Sequence, residues 1–333
     1  MREVKLFIVG LGNVGGGLVK LMKSLEKEIE RKYSTKLKVV GAVDIEGSAF
    51  SKEGLDLDEI LKTKNKGSIK NYPKFGSAKN ALEQIEENWK NFDVLVEVST
   101  TNLETAQPAL DHIRNSLEKG KHVVTSNKGP IALHYDSLIK LAKKNGVILG
   151  FEACVAGVIP VIRILRGYLA LDKVQGINAI VNGTCNFILG KMSEGISFEK
   201  ALKEAQEKGY AEADPALDVT GMDSAAKLVI LNNIVSSRQI SLKDVKINGI
   251  ENLSGDARNT KLIASLRNGD AKVQPEKVQE GSFFASVNGV LNAIEIETEI
   301  AGPLKFSGRG AGGRETAYAV LADILKIAAE NRI

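Results

Sequence analysis

The stretch "VKLFIVGLGNVGGG", residues 4 to 17, sets an apolar run directly against closely spaced glycines and then enters a segment of helical period. "VKLFIV" (4 to 9) reads as a strand. After it, Leu18, Leu21, Met22, Leu25 and Ile29 recur at three- and four-residue steps among lysines and glutamates, which predicts an amphipathic helix over 13 to 32. Gly10, Gly12 and Gly15 form a GxGxxG pattern at the junction, with Asn13 and Val14 inside it. Glycines belong there when the backbone must turn tightly and approach a pyrophosphate, whose charge then faces unpaired N–H groups at the helix N-terminus. A glycine-rich turn in an ordinary α/β domain is the plainer alternative. The strand before the glycines and the helix after them weigh against it.

A second strand, "LKVVGAVD" (37 to 44), ends in Asp44, where an acidic side chain can bond both ribose hydroxyls of NAD. No arginine follows in "DIEGSAF" to hold a 2′-phosphate, although Lys52 is near, so NAD is favoured and NADP stays open. Residues 51 to 79 look irregular. Helices near 79 to 88, 104 to 118 and 136 to 145 then alternate with strands at 93 to 99, 122 to 126 and 147 to 153. This pattern predicts an α/β fold, a Rossmann doubly wound parallel sheet over residues 1–153. Ligands of such sheets bind beyond the carboxyl ends of the strands. "VEVSTTN" brings Ser99 and Thr100 to that edge and "VVTSNKGP" brings Lys128, for which a surface lysine in a turn is the alternative reading.

Past residue 153 the regular alternation stops. Pro160 suits the first turn of a helix, "KVQGINAIVNG" (173 to 183) reads as a strand, and helices are expected at 184 to 193, 197 to 208 and 222 to 235. Strand-like runs at 246 to 252, 272 to 278 and 289 to 299, with a helix near 256 to 267, predict a second, α+β domain over 154–309. A glycine-rich loop then enters a C-terminal helix, 310–333, expected to pack back on the first domain.

The chain has 333 residues, 45 lysines and arginines against 41 aspartates and glutamates, and no clustered basic stripe, which argues against a nucleic-acid partner. No apolar run reaches the roughly 18 residues needed to span a bilayer, and no signal-peptide pattern opens the chain. Cys154 and Cys185 match no zinc spacing and fit a reducing, cytoplasmic setting. The three histidines, His112, His122 and His134, are scattered and suggest no metal cluster.

One charged residue stands out in an apolar helix. "GYAEADPALDVTGMDSAAKLVILNN" (209 to 233) carries Glu212, Asp214, Asp218 and Asp223, and then Lys227 among Ala225, Ala226, Leu228, Val229, Ile230 and Leu231. Asp223 and Lys227 share a face, and an exposed pair of this kind is worth about 0.2–0.5 kcal/mol. The apolar surroundings point instead to burial, and a buried ammonium needs a partner or loses its proton. Surplus carboxylates beside a lysine suit a substrate bearing an ammonium group, an amino acid or amino aldehyde.

These segments resemble the homoserine dehydrogenase family. The likeness is close in "NGTCNFIL" (182 to 189), in "SFEKALKEAQEKGYAEADPALDVTGMDSAAKL" (197 to 228) and in "GRGAGG" (308 to 313). It extends through "TSNKGPIA" (125 to 132) and "FEACVAGVIP" (151 to 160) to the N-terminal glycines, covering nearly the whole chain. The resemblance implies reversible oxidation of L-homoserine to L-aspartate 4-semialdehyde with NAD or NADP, on the route to threonine and methionine, in a homodimer whose second domain binds substrate and mediates dimerisation. It implies that Lys227 is the acid/base, that Asp223 holds substrate and lysine, and that Glu212 grips the amino group and an ordered water. Lys128 would sit between the nicotinamide and the reacting oxygen, and Gly183, Thr184 and Tyr210 would line the substrate site. Glu152, with the carbonyls of Val155, Gly157 and Ile159, would hold a monovalent cation, sodium, and Gly310 and Gly312 would return to the cofactor.

Ala179 and Cys185 depart from the family's usual glycine and threonine, and Arg309 and Arg314 add charge expected beside the nicotinamide end. Ending at Ile333, the chain is expected to lack a regulatory domain and inhibition by threonine. Two other readings share the same motifs: another amino-acid-related dehydrogenase, and a catalytically silent relative that binds the dinucleotide. The intact Lys128, Glu212, Asp223 and Lys227 argue against the second.

Overall fold

The first strand, β1 (Arg2–Val9), runs in a row of buried apolar side chains into the glycine turn and helix α1 (Asn13–Tyr33). The computed structural model describes residues 1–330 apart from Ser254 and Asn268. It divides the chain into two units, one of residues Met1–Cys154 with the segment from Gly312 onward, the other of Val155–Ala311.

In the first unit α1 leads to β2 (Thr35–Asp44) and β3 (Gly47–Phe50), then to α2 (Leu57–Asn65), β4 (Gly76–Ser77) and α3 (Ala81–Asn88). The remaining alternation is β5 (Val94–Glu97), α4 (Ala109–Glu118), β6 (His122–Thr125), α5 (Lys128–Lys144) and β7 (Leu149–Gly150). The seven strands are ordered β4-β3-β2-β1-β5-β6-β7. β2, β1, β5, β6 and β7 are parallel, while β3 and β4 add an antiparallel edge. Chain order reverses on the two sides of β1, which makes the carboxyl ends of β1, β2 and β5 the crevice where a doubly wound sheet takes its ligand. Leu6 and Ile8 of β1, Leu18 of α1 and Val94 and Val96 of β5 are buried in one core.

In the second unit α6 (Val161–Arg163) passes into a π-helical turn, Ile164–Tyr168, and then to β8 (Val174–Ile180). Helices α7 (Gly183–Ser193), α8 (Phe198–Glu207), α9 (Ala216–Val219) and α10 (Met222–Val235) follow. Five strands close the unit: β9 (Val245–Ile247), β10 (Thr260–Arg267), β11 (Asp270–Lys277), β12 (Leu291–Thr298) and β13 (Pro303–Arg309). The sheet order is β13-β12-β8-β10-β11-β9, antiparallel except where β9 joins β11. The last helix, α11 (Gly313–Ala329), belongs to the first unit and packs on α1. The end of the expected C-terminal helix, residues 331 to 333, lies outside the described residues.

The structure revises several expected elements. The stretch 256 to 267 is not a helix: Thr260–Arg267 is a strand between β8 and β11, with Ala264 opposite Ala179 on one side and Val273 on the other. Buried on both faces, it lacks the alternation that marks a half-wet strand. Helix α5 begins at Lys128 rather than 136, because Pro130 in a first turn costs no hydrogen bond. The stretch 51 to 79 contains α2, capped by Asp56 accepting from the Glu59 N–H at 2.8 Å.

Candidate active site

In the first unit the site is built from the carboxyl ends of three strands. Gly10 has φ of 100°, and a Cβ on it would meet the Val98 carbonyl at 2.6 Å. A Cβ on Gly15 would stand 1.9 Å from the Gly10 carbonyl, so the turn closes only with glycine at both places. Gly12, which caps α1, has open space where its Cβ would be. Two glycines therefore make the turn, while the third leaves room for a close ligand at a helix N-terminus. That combination fits a pyrophosphate.

Beside the turn lies a cavity of ≈ 770 Å³ whose lining includes Gly10, Gly12, Asp44, Leu82, Ser99 and Thr100. The size suits a dinucleotide's adenosine half. Asp44 stands at the end of β2 and is ion-paired with Lys64 of α2. Lys64 also faces a neighbouring cavity over the start of α1, together with Lys20 and Arg314. Arg314 thus shares a surface with the start of α1.

A buried polar network fixes the Ser99–Thr100 loop. Glu97, fully buried at the end of β5, accepts the Ser99 N–H at 2.9 Å and the Ser99 hydroxyl, and its other oxygen lies 2.7 Å from His112 Nδ1. The Asn127 side chain, which caps α5 by accepting from Gly129 N–H at 3.2 Å, donates to the Ser99 and Thr100 carbonyls. Lys128 is the first residue of α5, half-buried, and close enough to Cys154 that its charge works against the burial that pushes that thiol's pKa up.

The second unit holds the lysine that the sequence singles out. Helix α10 has apolar residues all round and is buried accordingly. Lys227 is 8% exposed and Asp223 9%. Lys227 Nζ donates to Asp223 Oδ2 at 2.6 Å and to the Val181 carbonyl at 2.5 Å. The Asn182 side-chain nitrogen donates to Asp218 Oδ1 at 2.6 Å and to Asp223 Oδ2 at 3.0 Å, while its oxygen caps α7 by accepting the Cys185 N–H at 2.8 Å. One asparagine therefore links the helix carrying Gly183 and Thr184 to the carboxylates beside Lys227.

Thr184 donates its hydroxyl to the Tyr210 carbonyl at 2.6 Å, and the Tyr210 ring meets Phe187 edge-on at 5.1 Å. Glu212 stands exposed in the turn after α8, with its own carbonyl accepting from Gln206. Asp218 and Asn182 are the residues that sequence reasoning passed over. Asp218 was visible in the acidic run, but its partner precedes the first turn of a helix 36 residues earlier in the chain.

Glu152 is 5% exposed, and its N–H donates to Asp323 Oδ2 at 2.9 Å. Val155 and Ile159 are buried and flank a tight turn in which Ala156 and Gly157 take φ of 58° and 57°. Among the described residues no three histidine, cysteine or acidic side chains gather as a metal cluster, and no helix is long and apolar enough to cross a membrane.

A glycine turn under an open crevice at the switch point of a parallel sheet is the cofactor half of an NAD(P)-dependent oxidoreductase. The second unit holds a buried lysine hydrogen-bonded to a carboxylate, Lys227 to Asp223. Residues 10–152 match the family model of the homoserine dehydrogenase NAD binding domain, and residues 160–325 match that of homoserine dehydrogenase. The chain belongs to the homoserine dehydrogenase family. A homoserine dehydrogenase of Methanocaldococcus jannaschii is 42% identical over 97% of this chain and 98% of its own length. An NAD(+)-dependent homoserine dehydrogenase of Pseudomonas canavaninivorans is 37% identical over 98% of this chain and 97% of its own. Among solved structures, a hyperthermophilic archaeal homoserine dehydrogenase in complex with NADPH superposes with a TM-score of 0.88 at 32% identity, covering 99% of this chain and 98% of that one.

Proposed function

We propose that this enzyme interconverts L-homoserine and L-aspartate 4-semialdehyde, with Lys227 as the acid/base and the acidic turn after α8 as the holder of the substrate's amino group. The observation that carries the reading is the buried Lys227–Asp223 pair, since an ammonium kept inside an apolar helix is costly unless its proton is used or fully partnered. Gly10, Gly12 and Gly15 would hold the pyrophosphate of a nicotinamide dinucleotide, which when bound would supply hydride exchange with the substrate's C4. In the reducing direction the Lys227 ammonium gives a proton to the carbonyl oxygen as the hydride arrives, and in the oxidising direction the amine takes it from the hydroxyl. Asp223 orients Lys227 and the reacting end of the substrate, and Glu212, exposed in the acidic turn, receives the substrate ammonium. Gly183, Thr184 and Tyr210 shape the pocket beside them. Lys128, leading α5 at the cofactor edge, faces the reacting oxygen.

Both NAD and NADP remain compatible with this crevice, with NAD favoured by Asp44 at the strand end. The buried carboxylate of Glu152 and the carbonyls of Val155, Gly157 and Ile159 are the oxygen donors that suit a hard cation such as sodium. In this reading the enzyme is a homodimer joined through its second unit. A panel of L-homoserine, L-serine, L-threonine and 4-hydroxybutyrate, followed by nicotinamide absorbance, tests the substrate. Turnover of homoserine alone is expected. Equal turnover of 4-hydroxybutyrate would remove the role given to the ammonium-binding acids.

A further inference from the structure

The second unit hides another lysine, on the strand that the sequence suggested was a helix. Lys261 of β10 is 5% exposed, and its ammonium donates to the Val287 carbonyl at 2.6 Å, to Asn186 Oδ1 at 3.1 Å and to Asn288 Oδ1 at 3.4 Å. Among the described residues no carboxylate pairs with it. Burial lowers its proton affinity. An ammonium desolvated without a counter-ion opposes folding. Its retention therefore needs another account, and its partners supply one.

All three acceptors belong to two elements. Asn186 lies in the first turn of α7, and its side-chain nitrogen donates to the carbonyls of Val287, Gly289 and Leu291 at 3.1, 2.9 and 3.3 Å. The segment 287–291 is thus drawn onto α7 from both sides, by the lysine and by the asparagine. Its tip touches the substrate region directly, for a Cβ on Gly183 would meet the Val290 carbonyl at 2.6 Å. Gly183 follows Asn182, which holds Asp223, which holds Lys227. The first turn of α7 therefore has Asn182 and Thr184 directed to the proposed substrate residues and Asn186 directed to Lys261.

We propose that Lys261 is a positioning residue for the homoserine site: its buried ammonium clamps the 287–291 segment and Asn186, and so fixes the turn that presents Gly183 and Thr184. The inference rests on the substrate site described under Proposed function. Carbonyl and amide oxygens gathered around one point repel each other, and a cation at that point is what lets them converge. A neutral side chain would let the segment relax away from Gly183 and loosen the pocket without touching the glycine turn of the first unit.

The test compares Lys261→Met with the wild-type enzyme by steady-state kinetics, with cofactor dissociation measured by NADH or NADPH fluorescence and folding by thermal melting. The expected result is a folded variant whose KM for homoserine rises about tenfold or more, with kcat and the cofactor dissociation constant within about twofold of wild type. An unchanged KM would overturn the proposal. So would a parallel loss of cofactor affinity and melting temperature, the mark of general destabilisation. If the methionine variant does not fold, Lys261→Gln keeps a donor without the charge, and the same KM shift is required of it. Lys227→Ala, measured alongside, separates the two ideas. Full activity there removes the substrate-site reading itself, while a dead Lys227→Ala with an unaffected Lys261 variant removes only the present one.

Discussion

Lys227 and Asp223 lie one helical turn apart on α10, their charged atoms 2.6 Å from each other and both side chains nearly excluded from water. In an exposed helix this spacing would contribute a few tenths of a kcal/mol. Buried, it is a pair in which neither partner can be removed cheaply, since an orphaned charge costs about 3–5 kcal/mol. Asp223→Asn preserves the shape and removes the charge that holds the ammonium. Its kcat for homoserine oxidation is expected to fall by about 10²–10⁴-fold, with cofactor binding retained. Stopped-flow measurement of the hydride step checks this, and a variant with wild-type rates would show that the carboxylate acts only in folding.

The cofactor crevice makes a prediction about nucleotide choice. In the proposed reading Asp44 accepts from ribose hydroxyls, and its carboxylate would repel a 2′-phosphate at the same position. Lys64, its ion-pair partner, and Arg314 and Lys20 nearby supply positive charge for that phosphate once the carboxylate is gone. Asp44→Ala should weaken NAD and favour NADP, shifting the ratio of kcat/KM values by about tenfold or more, the worth of a charge-assisted hydrogen bond. Paired kinetics with the two cofactors measure it. A ratio unmoved by the substitution would place the ribose elsewhere.

Much of this architecture was legible in the sequence, for physical reasons. The glycine turn, the Asp44 strand end and α10 announce themselves because each is a local pattern: glycine spacing, alternation, or an apolar run interrupted by one charge. Asn182, Asp218 and Lys261 did not announce themselves, because each acts through a partner far along the chain. Lys261 meets Asn186 across 75 positions and Val287 across 26, and nothing in "TKLIASLR" signals those neighbours. The same segment misled the reading of secondary structure. A strand buried on both faces has lost the period that distinguishes it from a helix.

The two cysteines offer a check on the packing of both units. Burial is the largest cause raising the pKa of each thiol. Nearby Asp218 and Asp223 raise Cys185 further, while Lys128 and Lys227 oppose the shift at Cys154 and Cys185 respectively. The thiolate is the reactive form, so a raised pKa keeps both side chains inert. At about pH 8, below even an ordinary thiol's pKa, iodoacetamide should leave the native enzyme unlabelled and modify both residues after denaturation. Rapid labelling of native Cys185, whose Sγ lies 3.2 Å from the Asp218 carbonyl, would mean that the first turn of α7 is open.

The most direct test concerns Lys227 itself, through replacement by methionine, which keeps the length of the side chain and removes its proton. With L-aspartate 4-semialdehyde and NADH or NADPH, the wild-type enzyme is expected to show saturable loss of nicotinamide absorbance. Lys227→Met should bind the reduced cofactor normally and turn over at least about 100-fold more slowly. A methionine variant that reduces the aldehyde at the wild-type rate would contradict the assignment of proton transfer to this lysine.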